Sequence, residues 1–460
     1  MPKIYDLICI GGGSGGFNGA RTAAALGKKV AIIDGAKELG GLCILRGCMP
    51  SKTLIYAAEI LHLAQNGKKF GLRIPSAKVN MHALHARKKR IIGDFAAHRQ
   101  EQLINGRFDL YRTHAHFISP NTLELADGTQ VSANKFLIAT GSKVAKPAIT
   151  GLSDIPALTS DEILDLNFVP KSVIVLGGGI VACELAQYLN RIGSKVTLIQ
   201  RSKNILRDHS PAASAIIQET FLREGIDLHT STTLERISRT AKGVVVVFKT
   251  RDATIKRHAE YCFNALGRIP NTHHLDLQVA GVETKINGQI VTNRWQQTTQ
   301  PHIYAAGDCC GPHEIVHLAV AQGELAARHA FRIKNIKPIN NDLLLNVVFT
   351  DPQLATIGKL ESELKKSGIE YLTASYPFND HGKSILMEAN YGYVKVIAEP
   401  KRGRILGAEI VGKDAGELIH CFSTPLAMRA TVFDMLHAPW YHPTLAEIVT
   451  YPLEEIAEQI

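Results

Sequence analysis

Two stretches of this chain repeat one pattern, and the repeat constrains the fold more than any other feature. Residues 4–34 read as a strand from Ile4 to Ile10, the run Gly11-Gly12-Gly13-Ser14-Gly15-Gly16, an alanine-rich helix stopped at Gly27, and a strand from Lys28 to Asp34. Residues 172–200 repeat it: a strand from Ser172 to Leu176, then Gly177-Gly178-Gly179-Ile180-Val181-Ala182, a helix stopped at Gly193, and a strand ending at Gln200. Glycine stands first and third in each (Gly11, Gly13; Gly177, Gly179), and a small residue stands sixth (Gly16, Ala182). The first glycine makes the tight turn and the second lets backbone approach a pyrophosphate. The third small residue keeps the helix close to the sheet, and the pyrophosphate rests on the helix N-terminus. A bare glycine string is a weak signal, but here both copies carry the strand before and the helix and strand after.

Two such units predict two dinucleotide cofactors, and a flavin with a nicotinamide is the natural pairing. The strand-end residue separates them: 23 positions lead from Gly11 to Asp34, and 23 from Gly177 to Gln200. An acid there bonds a ribose 2′-hydroxyl and repels a 2′-phosphate. Asp34 therefore fits FAD or NAD. Gln200 lacks the charge and is followed by Arg201, Lys203 and Arg207, a set able to clamp a 2′-phosphate. The second site is expected to prefer NADPH, with NADH as its alternative.

Eight cysteines in 460 residues are too sparse for a disulfide framework, and most lie in apolar stretches. Cys43 and Cys48 differ. They are five positions apart in Gly40-Gly41-Leu42-Cys43-Ile44-Leu45-Arg46-Gly47-Cys48-Met49-Pro50-Ser51-Lys52, so a helical turn or compact loop brings them within disulfide range. No further ligands at metal-site spacing accompany them. Pro50 fits the first turn of a helix through Gln65, which puts Cys48 by the helix N-terminus, where the dipole favours a thiolate. The adjacent pair Cys309-Cys310 is expected to be two free thiols in a packed turn, because a bridge between neighbours is strained.

With these residues in view, the chain resembles the FAD-dependent pyridine nucleotide–disulfide oxidoreductases over essentially its whole length. The resemblance rests on Gly41 to Lys52, Ala139-Thr140-Gly141, the second glycine unit with Glu184, Gly267-Arg268-Ile269-Pro270-Asn271 and Ala306-Gly307-Asp308. It continues through Phe349-Thr350-Asp351-Pro352, Leu406-Gly407-Ala408 to Gly412, and His442-Pro443-Thr444 with Glu447. It implies an α/β fold with two Rossmann-like domains, for FAD and NAD(P), and a C-terminal α+β dimerisation domain. It further implies that Cys48 is the charge-transfer thiolate beside the flavin and that Cys43 meets the substrate. Lys52 and Glu184 pair near the flavin on the nicotinamide side, and Asp308 bonds the ribityl chain. Thr140, Gly141 and Gly267 fall among the cofactor-binding positions.

Thiol–disulfide exchange also needs a base, and imidazole titrates near neutrality. His442 is that candidate, with Glu447 to hold its tautomer. In the resembling enzymes this pair reaches the other subunit's cysteines, so a homodimer is expected. The C-terminal third, with Ala415-Gly416-Glu417-Leu418-Ile419 and His317, is most similar to dihydrolipoamide dehydrogenase. Gln200, Arg201, Arg207, Ser14 and Arg21 resemble glutathione reductase, yet Glu324 stands where a glutathione-binding arginine belongs. Mercuric reductases usually carry a C-terminal cysteine pair and lack the His442 motif, which weighs against them. Asp34 is shorter than the usual glutamate.

The expected function is two-electron transfer between NAD(P)H and a small dithiol or disulfide through Cys43 and Cys48, dihydrolipoamide dehydrogenase-like. The alternatives are an NADPH-dependent reductase of another disulfide or of a metal ion, and a redox-sensing subunit of a complex. The expected segments are 1–149 (FAD), 150–265 (NAD(P)), 266–335 (FAD and central) and 340–460 (dimerisation), in keeping with about 150 residues per domain. In the last, Tyr393 to Ile397 and Ile405 to Val411 read as two strands joined by a turn over Pro400–Gly403. A composition 45% hydrophobic and 20% charged excludes a disordered chain and a coiled coil. No apolar run reaches the ~18 residues of a membrane span. Met1-Pro2-Lys3 leads straight into a strand, so no leader and a soluble cytoplasmic protein are expected. The net charge of +10 and the cluster Arg87-Lys88-Lys89-Arg90 come without any nucleic-acid-binding motif, so the cluster is expected to be a solvated helix face.

Overall fold

The computed structural model describes residues 3–460; the reading of Met1 and Pro2 lies outside them. The strand expected from Ile4 to Ile10 is interrupted at Asp6, whose carboxylate accepts the Lys29 N–H at 2.9 Å. Lys3–Tyr5 pairs in parallel with Gln130–Ala133, and Leu7–Ile10 enters a different sheet. That sheet has five parallel strands in the order Ile303–Ala305, Phe136–Ile138, Leu7–Ile10, Val30–Ile33 and Asp109–Tyr111. Side chains alternate across a strand, so one apolar run serves two cores. Leu7, Cys9, Val30 and Ile32 pack with Phe17, Ala20 and Ala23 of the helix Ser14–Ala25. Ile8, Ile10, Ala31 and Ile33 face Phe117, Leu123 and Val131 of the smaller sheet that includes Ala115–Ser119, Thr122–Leu125 and Gln130–Ala133.

The second glycine unit repeats this arrangement. Its four parallel strands run in the order Asp227–His229, Lys195–Ile199, Ser172–Leu176 and Tyr261–Asn264. Val173, Val175, Val196 and Leu198 pack on the helix Ile180–Arg191 through Ala182, Leu185, Ala186 and Leu189. Ile174, Leu176 and Ile199 face a three-stranded antiparallel sheet through Ile237, Val244, Val246 and Phe248. The internal repeat is thus larger than its motif: each parallel sheet carries a helix layer on one face and a smaller sheet on the other, mixed in the first unit and antiparallel in the second.

The last part is a five-stranded antiparallel sheet in the order Leu345–Val348, Gln353–Gly358, Ile405–Gly412, Tyr393–Ala398 and Leu372–Pro377. The expected hairpin is there, one residue longer in each strand. Helix Thr450–Ala457 closes this core through Leu453 and Ile456. The fold is the expected α/β arrangement of two Rossmann-like parts and a C-terminal α+β part. Among the described residues no helix is long and apolar enough to cross a membrane.

The basic cluster needs correction. Lys88 is buried in the helix Met81–Ile104, where its ammonium donates to the Leu164 carbonyl at 2.6 Å and the Asp165 carboxylate at 2.5 Å. A buried lysine requires such partners. Lys88 therefore clamps two segments together, while Arg87, Lys89 and Arg90 stay exposed.

Candidate active site

Each glycine unit forms a strand–turn–helix elbow. Gly11 and Gly177 have φ of +102° and +107°, a left-handed region open to glycine at little cost. A Cβ at Gly16 would collide with the Gly11 carbonyl, so this helix crosses its turn too closely for any side chain. At the second elbow the sixth position tolerates a methyl, the fully buried Ala182. Gly13 and Gly179 precede the two helices, and neither N-terminus has a side-chain cap. The first-turn N–H groups are left for an anion. The Thr140 hydroxyl is buried without a partner among the described residues, and the Gly13 and Gly41 backbones face each other with no side chain between. These residues fit a dinucleotide such as FAD.

Asp34 lies where the spacing predicts. Its carboxylate accepts the Gly12 N–H at 2.8 Å and the Ala36 N–H at 2.9 Å. Gln200 takes the equivalent place under the second turn, against Gly178. Its amide donates to the Asn204 carbonyl at 3.4 Å. Arg201 and Arg207 are both exposed, and Arg207 lies 3.6 Å from the Asp208 carboxylate. Where the two glycine units meet, the Gly141 carbonyl accepts Asn271 N–H and the Gly267 carbonyl accepts Ala145 N–H, both at 2.9 Å. Asp308 accepts the Ser142 hydroxyl at 2.6 Å, and that hydroxyl accepts Arg268 Nε at 2.7 Å.

Cys43 sits in the short helix Gly41–Arg46, and Cys48 opens the helix Cys48–Gln65, with Gly47 between them. Both are unbridged thiols, half-buried and hydrogen-bonded to each other. The hydrogen bond from Cys43 lowers the Cys48 pKa to about 7 against the opposing effect of burial, and the Lys52 charge adds to this. The same bond, with burial, pushes Cys43 well up. The pair therefore holds one proton on Cys43 and a thiolate on Cys48. Cys309 and Cys310 are the free, buried thiols expected.

Lys52 lies one turn beyond Cys48, and its ammonium meets Glu184 at 2.8 Å. Glu184 is 4% exposed, and its other oxygen accepts the Phe349 N–H at 2.9 Å. The Lys52 ammonium also stands 4.5 Å from the Phe349 ring centre. Glu184, Gln187 and Arg191 share one helix face. Gln187 exchanges two 2.8 Å hydrogen bonds with the Asp351 backbone, and Arg191 binds Glu224 at 2.6 Å and Asp351 at 2.8 Å. This face fixes the second glycine helix to the loop before strand Gln353–Gly358. Lys52, Glu184 and Phe349 line a cavity of about 550 Å³ that runs on to Tyr56, Glu59 and Lys413.

His442 and Glu447 form a separate cluster. His442 Nδ1 lies 2.9 and 3.0 Å from the two Glu447 oxygens. The ring is 75% exposed, and no hydrogen bond or ion pair among the described residues links it to either thiol. Nδ1–H therefore donates to Glu447, which leaves Nε2 as the basic nitrogen.

Phe349 and Arg268 lie within the motifs that carry the resemblance, but their contacts with Lys52 and with Ser142 show only in the tertiary structure. No sequence pattern marks Ser142.

Residues 5–323 match the family described as pyridine nucleotide-disulphide oxidoreductase, and residues 345–452 match its dimerisation domain. The chain is 35% identical to a mercuric reductase of Bacillus cereus, over 96% of this chain and 70% of that protein. It is 31% identical to a dihydrolipoyl dehydrogenase of Bacillus subtilis (strain 168), over 96% of each. Among solved structures, LpdA of Mycobacterium tuberculosis superposes with a TM-score of 0.88 at 25% identity, covering 99% of both chains. The HOCl-induced flavoprotein disulfide reductase RclA of Escherichia coli shares the fold, with a TM-score of 0.86 at 23% identity over 98% of this chain and 99% of that one. Two elbows built for dinucleotides, a coupled pair of thiols beside them and a family match over most of its length lead to one conclusion: this chain belongs to the FAD-dependent pyridine nucleotide-disulfide oxidoreductases.

Proposed function

We propose that this protein moves an electron pair between NAD(P)H and a dithiol or disulfide through Cys43 and Cys48, with dihydrolipoamide as the first candidate donor. The observation that carries the reading is the arrangement of the two thiols around Gly47, with Cys48 opening its helix one turn before Lys52, whose charge helps lower the Cys48 pKa. In the oxidised pair, His442 Nε2 of one subunit takes the proton from an incoming substrate thiol. The substrate thiolate attacks Cys43 Sγ, the Cys43–Cys48 bond breaks, and Cys48 leaves as the thiolate. The second substrate thiol then attacks the substrate sulfur of the mixed disulfide, and its proton passes to Cys43 as that residue is released. The substrate leaves as a disulfide, and its electron pair stays on the cysteines. FAD held by the first elbow supplies the two-electron link from this dithiol to the nicotinamide.

Asp34 is proposed to hold the FAD ribose and Asp308 the ribityl chain, with Lys52 and Glu184 on the nicotinamide side. Gln200, Arg201 and Arg207 favour NADPH. The exposure of His442 away from its own chain's thiols supports a homodimer with shared active sites, and the segments 1–149, 150–265, 266–335 and 340–460 are proposed as its domains. The similarity to mercuric reductases favours a second reading, reduction of a mercuric ion delivered to the same thiols. Dihydrolipoamide oxidation with NAD and with NADP, beside Hg(II)-dependent oxidation of NADPH, separates them. Turnover with dihydrolipoamide supports the first reading, and turnover with mercuric ion alone overturns it. A Cys48→Ser variant that keeps full disulfide turnover overturns the relay.

A further inference from the structure

The half-buried Arg99 stands in the long helix Met81–Ile104, which packs against the short helix that carries Cys43. Its guanidinium lies 4.0 Å from the ring centre of Phe17 on the first glycine helix, and its Nε donates to Gln102 at 3.1 Å. Its Nη1 is buried and has no hydrogen-bond partner among the described residues. An arginine nitrogen sequestered from water without an acceptor is costly unless something else binds it. The group senses the charges of both Cys43 and Arg21. Arg21 itself is committed, since Glu324 binds it at 3.1 Å. Phe17 stacking fixes the plane of the Arg99 fork, so its unused nitrogen is oriented in advance.

We propose that Arg99 determines specificity on the thiol-exchange side by binding a carboxylate carried close to the sulfur of the substrate. The inference rests on the exchange role of Cys43. A carboxylate suits the site because a planar fork matches its two oxygens, and because Arg21, whose charge also acts on Arg99, is already neutralised by Glu324. Within the thiol and disulfide class of the proposed reading, this site therefore favours small substrates with an acidic group near the sulfur over dihydrolipoamide, whose amide is uncharged.

The test uses the reduced, FAD-loaded Cys48→Ser protein, in which Cys43 is the one thiol of the pair, and two alkylating probes of nearly equal size, anionic iodoacetate and neutral iodoacetamide, with the modified cysteine located by mass spectrometry. A change in the acidity of Cys43 alters both rates alike, so the ratio of the two rates isolates the anion site. Arg99→Gln is expected to lower the iodoacetate-to-iodoacetamide ratio at Cys43 about tenfold, and Arg99→Lys to recover part of it. A ratio unchanged by Arg99→Gln, with Cys43 still the modified residue, overturns the proposal alone. A Cys43→Ser variant that keeps full disulfide turnover overturns the exchange reading beneath it.

Discussion

The Lys52 ammonium stands 2.8 Å from the Glu184 carboxylate and joins the helix that begins at Cys48 to the second glycine helix. One residue thus links the thiol pair to the proposed nicotinamide side: Lys52 lowers the Cys48 pKa while its partner holds the Phe349 backbone. Glu184→Ala leaves that N–H and Lys52 without their acceptor. Breaking a buried pair costs ~3–5 kcal/mol, and because Lys52 is 33% exposed a loss of ~2 kcal/mol is expected. A fall in thermal midpoint checks this against Glu184→Gln, whose single amide oxygen keeps an acceptor for one of the two donors and should cost less.

The thiol pair has a predicted titration. With Cys48 lowered to about 7, the thiolate is present above that pH and is lost as pH falls through it. Cys43→Ala removes the hydrogen-bond donor and Lys52→Met removes the charge, so each moves the midpoint upward, with Cys43→Ala having the larger effect. Ultraviolet thiolate absorbance of the reduced protein, with Cys48→Ser as the blank, measures it. A midpoint that stays at 7 in both variants removes the stated cause.

A shared site predicts complementation. Cys48→Ser and His442→Gln homodimers should each lose at least ~10²-fold in disulfide turnover. Hybrids of the two regain one intact site, which pairs the cysteines of one subunit with the histidine of the other. Mixing the variants under subunit exchange should restore activity; a mixture no more active than its parts places His442 in its own chain's site.

Arg201 and Arg207 predict nucleotide choice. Replacing both with alanine should raise the KM for NADPH roughly tenfold to a hundredfold, from the loss of charge-assisted hydrogen bonds, and leave that for NADH nearly unchanged. Steady-state kinetics with the two nucleotides decides it, and equal effects on both leave the arginines as surface charge.

Much of this molecule was legible because its signals are local. The elbows at Gly11 and Gly177 are written in consecutive residues, and so are the Cys43–Cys48 spacing and the hairpin ending at Gly412. A turn, a helix start or a strand period is decided within one stretch of backbone. The break at Asp6 was not legible, since an apolar strand reads the same whether it serves one sheet or two. Lys88 reads as one charge among four, and only the approach of Leu164 and Asp165 makes it a buried clamp.

The sequence by itself determined the two dinucleotide elbows, the redox-suited cysteines and the family to which their order belongs. The tertiary structure alone decided which distant residues share a site. It set Glu184 against Lys52 across 132 positions and Asp308 against Ser142 across 166. It also packed the helix of Arg99 against the helix of Cys43 and left that arginine a nitrogen to spare. Those relations depend on how helices and sheets pack. Packing sums many weak, long-range contacts that no short stretch of sequence encodes.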